Sequence, residues 1–177
     1  VAEAAGLSLD SVIDPVSAGY LSRGIDAAVD DDAQLVVIVV DTPGGLLDST
    51  RDMVVKILAA EIPVVAFVSP AGAHASSAGT LIAAAAHLAA MAPATNIGAA
   101  APVGPGGEEL PDTIKSKATQ DAAAFLRSIA AERGRNADAL EATVVSAVAY
   151  SAVEALENGI IDLVAGDLED LFSRIDG

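Results

Sequence analysis

Residues 35 to 40 read L-V-V-I-V-V, an apolar and mostly β-branched run closed off by Gln34 and Asp41. A short run without alternation is the pattern of a parallel strand covered on both faces. Pro63 to Val68 repeats it. Between and around these runs the period changes. Asp14-Pro15 reads as an N-cap followed by proline in the first turn, which opens a helix to about Val29. A second helical stretch is predicted from Leu47 to Ala60. Ser69 to Ala75 reads as a loop, after which Ser76 or Ser77 starts an Ala-rich helix.

Met91 to Gly98 is expected to return as a short strand and turn. Ala99 to Pro111, with three prolines and three glycines, should form a mobile loop. From Asp112 to Arg133 the residues Ile114, Ala118, Ala122, Phe125 and Ile129 fall on one helical stripe. Ser151 and Glu154 have capping-box spacing, and Gly159 is placed to stop that helix. Ile160 to Val164 would be a last strand and Leu168 to Ile175 a closing helix. Strands alternating with helices predict an α/β domain with a mostly parallel sheet flanked by helices. No repeat or second domain interrupts residues 1–177.

Composition narrows the chemistry. The formal net charge of −16 argues against nucleic acid, whose phosphates need a basic footprint. With no cysteine, disulfides, thiolate catalysis and zinc–sulfur sites are excluded. Two histidines, His74 and His87, are too few for a convincing histidine metal site. Aromatics make up 3% of the chain, so its core has to be built from Ala, Val, Leu and Ile. The Ala-rich run from Leu81 to Met91 is too short to span a bilayer, and the N-terminus lacks the basic-then-apolar pattern of a signal peptide.

Two loops follow buried strands, where ligands bind in open α/β sheets. The first is Asp41-Thr42-Pro43-Gly44-Gly45-Leu46. Its glycines let backbone approach a ligand and offer N–H groups to an oxyanion, although a Gly-Gly pair alone is more often a plain turn. The second is His74-Ala75-Ser76-Ser77-Ala78-Gly79-Thr80. A serine there lies at the positive end of a helix dipole, and simple N-capping is its commonest role.

A serine nucleophile needs a base. On one continuous helix His87 would sit roughly 15 Å along the axis from Ser77, out of reach, and His74 reads as a solvated loop residue. Lysines remain. A lysine acts as a base only when neutral, so it needs a dry site. Lys56 reads as a surface charge. Lys115 and Lys117 both open the helix after the mobile loop, and these residue patterns leave the choice open. Asp121, four residues after Lys117, would oppose a base role if the two paired.

In order along the chain, D-T-P-G-G-L (41–46), S-P-A-G-A-H-A-S-S-A-G-T (69–80), M-A-P-A-T-N-I-G-A-A-A-P-V (91–103), K-A-T-Q-D-A-A-A-F-L-R-S-I-A (117–130), R-G-R-N (133–136) and E-A-L-E-N-G-I-I-D (154–162) resemble the NfeD-family membrane-bound serine proteases. That is a ClpP-class group related to signal peptide peptidase A. The resemblance implies a ClpP/crotonase-like fold with a first strand near Leu7 to Ile13, and serine endopeptidase activity through a Ser–Lys dyad without metal or cofactor. It assigns the nucleophile to Ser77, the base to Lys117, the oxyanion donors to Gly45 or Gly44 and to Ala78, and substrate binding to Asn96, Ile97 and Gly98. It further implies hydrophobic peptide segments as substrates, stomatin-like partners among them, and a homodimer or higher homo-oligomer. The full-length family form is membrane-associated, its protease part on the extracytoplasmic side and soluble as a fragment; membrane spans and a small NfeD domain usually follow and are absent from these residues. His74 and Ser76 depart from the residues common in that family, the second often being alanine. The closing E-A-L-E-N-G-I-I-D segment also looks like the end of a crotonase core, which leaves an acyl-CoA enzyme as one alternative and a non-enzymatic oligomeric binding scaffold as another.

Overall fold

The computed structural model describes residues 3–176, so the ends of the expected 1–177 span lie outside the described residues. Five parallel strands form the main sheet in the order β1 (Ala4–Leu9), β2 (Leu35–Val40), β3 (Val64–Val68), β5 (Leu88–Met91), β8 (Leu163–Val164). A smaller sheet stands at its carboxyl edge. There β6 (Asn96–Gly98) runs parallel to β4 (His74–Ser76) and antiparallel to β7 (Ala149–Ser151).

The unbroken apolar runs are explained by two-sided burial. In β2, Val36, Ile38 and Val40 face a core built with Leu21 and Ile25 of α1 (Pro15–Asp30), Met53 and Ile57 of α2 (Leu47–Leu58) and Ile82 of α3 (Ala78–Ala85). Val37, one residue out of phase, joins Val65, Phe67 and Ala90 on the other face, beneath Leu171 of α7 (Leu168–Ile175). Alternation of side chains along a strand assigns each to its layer.

Helix starts follow their local signals. Asp14 accepts from Ser17 N–H at 2.8 Å, while Ser17 Oγ accepts from Asp14 N–H at 2.9 Å. Ser151 and Glu154 form the expected reciprocal box at the head of α6 (Ala152–Glu157). At α4 (Asp112–Arg133) the helix ends where Gly134 takes φ 65°, and Asn136 then caps α5 (Ala137–Val145) by accepting from Ala139 N–H.

Several elements differ from the sequence reading, β4 among them, since His74–Ser76 is a strand where the end of a loop and a helix start were expected. The first strand is Ala4–Leu9, ahead of the expected Leu7 to Ile13, and Ile13 instead makes an isolated bridge to Gly45. The Ala-rich helix stops at Ala85, and Leu88–Met91 is a strand of the main sheet. Alanine carries no β signal, so pairing with β3 overrides local preference there. His87 therefore leaves the helix, and its Nδ1 accepts from Val64 N–H at 3.1 Å. Burial, and after it the Arg133 guanidinium, hold this imidazole below its ordinary value, consistent with a neutral acceptor ring. Helix α5 and strand β7 occupy a stretch for which the pattern offers no element, and the last strand shortens to Leu163–Val164.

Arg135 closes the far end of the serine-bearing helix. Its side chain is 2% exposed and donates to the carbonyls of Ala84 (2.9 Å), Ala86 (2.9 Å) and Ile160 (3.2 Å), and to Asp162 (2.9 Å). Asp162 in turn accepts from Ala89 N–H at 2.7 Å. Arg135→Ala would strand three buried carbonyls, each costing about 1–3 kcal/mol; the half-exposed Asp162 adds little. We expect a loss of roughly 3 kcal/mol or more, read as a lower urea midpoint. Arg135→Lys should restore little, because one ammonium cannot reproduce the guanidinium fork; an unchanged midpoint for the alanine variant would contradict this role.

Candidate active site

Ser77 sits between β4 and α3 with φ 52° and ψ −114°. A serine at positive φ is uncommon and carries strain. The conformation is over-determined by its surroundings: Ser77 N–H donates to Gly98 O at 3.1 Å, and Thr80 N–H donates to Ser77 O at 2.9 Å. The serine hydroxyl does not cap its own helix, so it is left available at the head of α3.

The glycine loop is held against it. A Cβ added to Gly44, at φ 111°, would lie 2.6 Å from Ser77 Cβ and 3.1 Å from its Oγ. Only glycine allows that approach. Gly45 is pressed against Ile13 on its other side, where an added Cβ would fall 2.0 Å from Ile13 O. Buried Thr42 organises the loop: its Oγ1 donates to Ser11 O at 2.6 Å and accepts from Gly44 N–H at 3.2 Å. Leu46 N–H donates to Ile13 O at 2.9 Å. Gly44 and Leu46 are thereby spent as donors. Gly45 N–H has no acceptor among the described residues, and neither does Ala78 N–H, the first amide of α3. An amide at a helix start is left without an intrahelical partner.

Beside these groups lies a cavity of about 200 Å³ lined by Gly45, Ser77 and Ala78, with Leu81, Val103 and Ala122 among its apolar walls. Thr50 and Ser77 are the hydroxyl side chains of that lining, and Thr50 Oγ1 is occupied by Leu46 O at 2.8 Å. Leu46, Leu47, Val103 and Ile114 are exposed large apolar residues on the segments around it.

Asn96, Ile97 and Gly98 do not line this cavity. They form β6 behind the serine, where Gly98 O accepts from Ser77 N–H and from Thr80 Oγ1. His74 also lies outside the lining, its Nδ1 3.3 Å from Asp41 Oδ1.

Both candidate lysines stand on the first turns of α4. Ala118 and Ala122 point into the cavity; Lys117, adjacent to Ala118, flanks that stripe and is exposed. Lys115 pairs with Glu109 at 3.1 Å, which ties the helix start to the preceding loop. The anticipated pair of Lys117 with Asp121 is not formed. Asp121 pairs with Arg51 of α2 instead, whose guanidinium stacks 4.3 Å over the Phe125 ring. Sequence spacing suggested the intrahelical partner; the one on α2 is brought close only by helix packing.

The loop before α4 begins firmly, with Ala99 and Ala100 N–H donating to Val148 O and Thr143 O, both at 2.8 Å. Beyond a small turn at Gly104 to Glu108 it has little regular bonding, yet Pro102, Val103 and Leu110 line the cavity. Among the described residues no cluster of acidic or histidine side chains is arranged to hold a metal ion, and no helix is long and apolar enough to cross a membrane.

A parallel sheet carrying a serine-headed helix that faces a glycine loop is the architecture of ClpP-like protease domains. ClpP1 from Listeria monocytogenes shares it, with a TM-score of 0.73, 16% identity and 94% of each chain covered, a likeness of fold alone. The chain belongs to the NfeD1b N-terminal domain family, whose model matches residues 7–171. It is 40% identical over 157 residues to the membrane-bound protease PH1510 of Pyrococcus horikoshii, covering 88% of this chain and about a third (35%) of that protein's length. Two solved structures of 1510-N, called a membrane-bound stomatin-specific protease, each match with a TM-score of 0.91 over 98% of this chain. One is a serine-to-alanine variant, 35% identical, with 84% of its chain covered. The other is a lysine-to-alanine variant in complex with a substrate peptide, 36% identical, with 80% covered.

Proposed function

We propose that this domain is a serine endopeptidase with a Ser77–Lys117 dyad that cleaves hydrophobic peptide segments. The observation that carries the reading is the pairing of a strained, uncapped serine with two unengaged amides, Gly45 and Ala78, beside an apolar cavity. The serine and lysine replaced in the 1510-N structures stand about forty residues apart in their chain, as Ser77 and Lys117 do here.

Neutral Lys117 takes the Ser77 hydroxyl proton as Oγ attacks the scissile carbonyl. The carbonyl oxygen becomes an oxyanion held by Gly45 and Ala78 N–H, aided by the positive end of α3. The protonated lysine passes its proton to the leaving amine, and water then hydrolyses the acyl-enzyme. Lys117 is exposed in the single chain, so substrate or a second subunit has to cover it to favour the neutral form. A homodimer or higher oligomer supplies such cover in this reading. Stomatin-like proteins are the proposed targets, since 1510-N is named for that specificity. The whole protein is proposed to act at a membrane, as PH1510 is named membrane-bound; the extracytoplasmic side is proposed from the family resemblance alone.

The direct test is a profiling digest of apolar peptides, including the C-terminal segment of a stomatin homologue, with Ser77→Ala as control. Cleavage by the wild type alone supports the reading, and identical digests remove it. The same variant reports on the loop. Peptide bound to Ser77→Ala should slow limited proteolysis between Ala101 and Pro111, because Pro102, Val103 and Leu110 would pack on it. Equal cutting with and without peptide would remove the lid role.

A further inference from the structure

We propose that Arg51 of α2 is a positioning residue of the peptidase site, holding the Asp121 carboxylate of α4 so that Lys117 is left without an acidic partner. The inference rests on the Ser–Lys reading above. Lys117 and Asp121 are four residues apart on α4, a spacing at which a lysine and a carboxylate meet on the helix surface. In isolation that pair would form and would favour the charged lysine, the state in which it cannot take a proton from Ser77. The structure shows the carboxylate bonded to Arg51 Nη2 instead.

Arg51 is well suited to win that competition. Its guanidinium carbon lies 4.3 Å from the centre of the Phe125 ring, one turn beyond Asp121 on the same helix, so a cation–π contact and ion pairing together hold it in place. It follows Thr50, and both Thr50 on α2 and Ala122 on α4 line the cavity. The bridge therefore joins two helices that each contribute a wall of the cavity.

Most other charges around α4 are engaged elsewhere or distant, Asp48 and Asp52 on α2 excepted. Helix α3, packed against α4, has no titratable residue. Helix α5 contributes Asp138 and Glu141, and Glu141 pairs with Arg127 at 2.6 Å, roughly 15 Å along the helix from Lys117. In the preceding loop Glu109 is taken by Lys115, and Glu108 folds back onto Gly106 N–H at 2.8 Å. On α2, Asp48 and Asp52 flank Arg51 in sequence, and neither has an ion pair with a lysine or arginine among the described residues. On α4 itself Asp112 lies five residues before Lys117, off its face.

The test is kcat/KM against pH, on an apolar peptide, for the wild type, Arg51→Met, Arg51→Lys, Asp121→Asn and the Arg51→Met/Asp121→Asn pair. Releasing Asp121 onto Lys117 is expected to move the rising limb of Arg51→Met upward by about 0.2–0.4 pH unit, the size of a surface i,i+4 pair. At a fixed pH on that limb the rate falls about twofold. Adding Asp121→Asn should return the limb to the wild-type position or below, and Arg51→Lys should hold it there. A limb unmoved in Arg51→Met, or one that stays displaced in the double variant, overturns the proposal, because a merely structural bridge would not be rescued by removing the carboxylate. Failure of the dyad itself is distinguishable: Lys117→Ala would then keep wild-type turnover, whatever Arg51 does.

Discussion

Ser77→Ala is expected to lower kcat/KM on an apolar peptide by about 10⁴-fold or more, while Ser76→Ala keeps most of the activity. Loss of a nucleophile leaves only what binding and the oxyanion donors supply. The contrast between the neighbouring serines comes from backbone geometry. Ser76 ends β4 in register with Gly98 and its N–H donates to Thr42 O at 3.1 Å. At Ser77 the chain flips to φ 52°, and that residue, not Ser76, reaches the cavity beside Gly45 and Ala78. Steady-state rates on folded variants check this. Equal losses from the two substitutions would mean that the nucleophile has been placed wrongly.

The second large effect should come from α4. Lys117→Ala is expected to fall by a factor comparable to Ser77→Ala, since a nucleophile and its base act as one unit and their losses do not add. Lys115→Ala should retain activity, because that side chain is engaged with Glu109 at the loop junction. The wild-type rate should climb with pH: a lysine base acts only after losing its proton, so activity lies on the alkaline side of the limb and is lost as pH falls through it. Asp121→Asn should leave the limb at the wild-type position or below, because Arg51 already holds that carboxylate. A limb that levels off near neutral pH and disappears in His74→Ala would instead assign the base to histidine and end the lysine mechanism.

Much of this arrangement was legible in the chain because it depends on local chemistry. The runs at 35–40 and 63–68 carry enough β-branched residues to declare two-sided burial. Asp14-Pro15, and Ser151 with Glu154, announce helix starts because the capping bonds span three residues. The glycine pair after β2 and the serine at a helix start are also local features, and their order with R-G-R-N and E-A-L-E-N-G-I-I-D pointed to the family.

What escaped the sequence depends on contacts between distant residues. Leu88–Met91 reads as part of an alanine helix until β3 offers it a parallel partner, and α5 with β7 shows no strong period of its own. The choice of Gly45 over Gly44 as the free donor is made by Thr42 Oγ1 and Ile13 O, which occupy the flanking amides. Asn96, Ile97 and Gly98 belong to a motif, yet the β4–β6 register places them behind the serine. Asp121 looked like the partner of Lys117 because spacing along one helix is visible in a sequence. Its bond to Arg51, seventy residues earlier in the chain, is set by how α2 and α4 lie in the fold, and the chain's order says nothing of that distance.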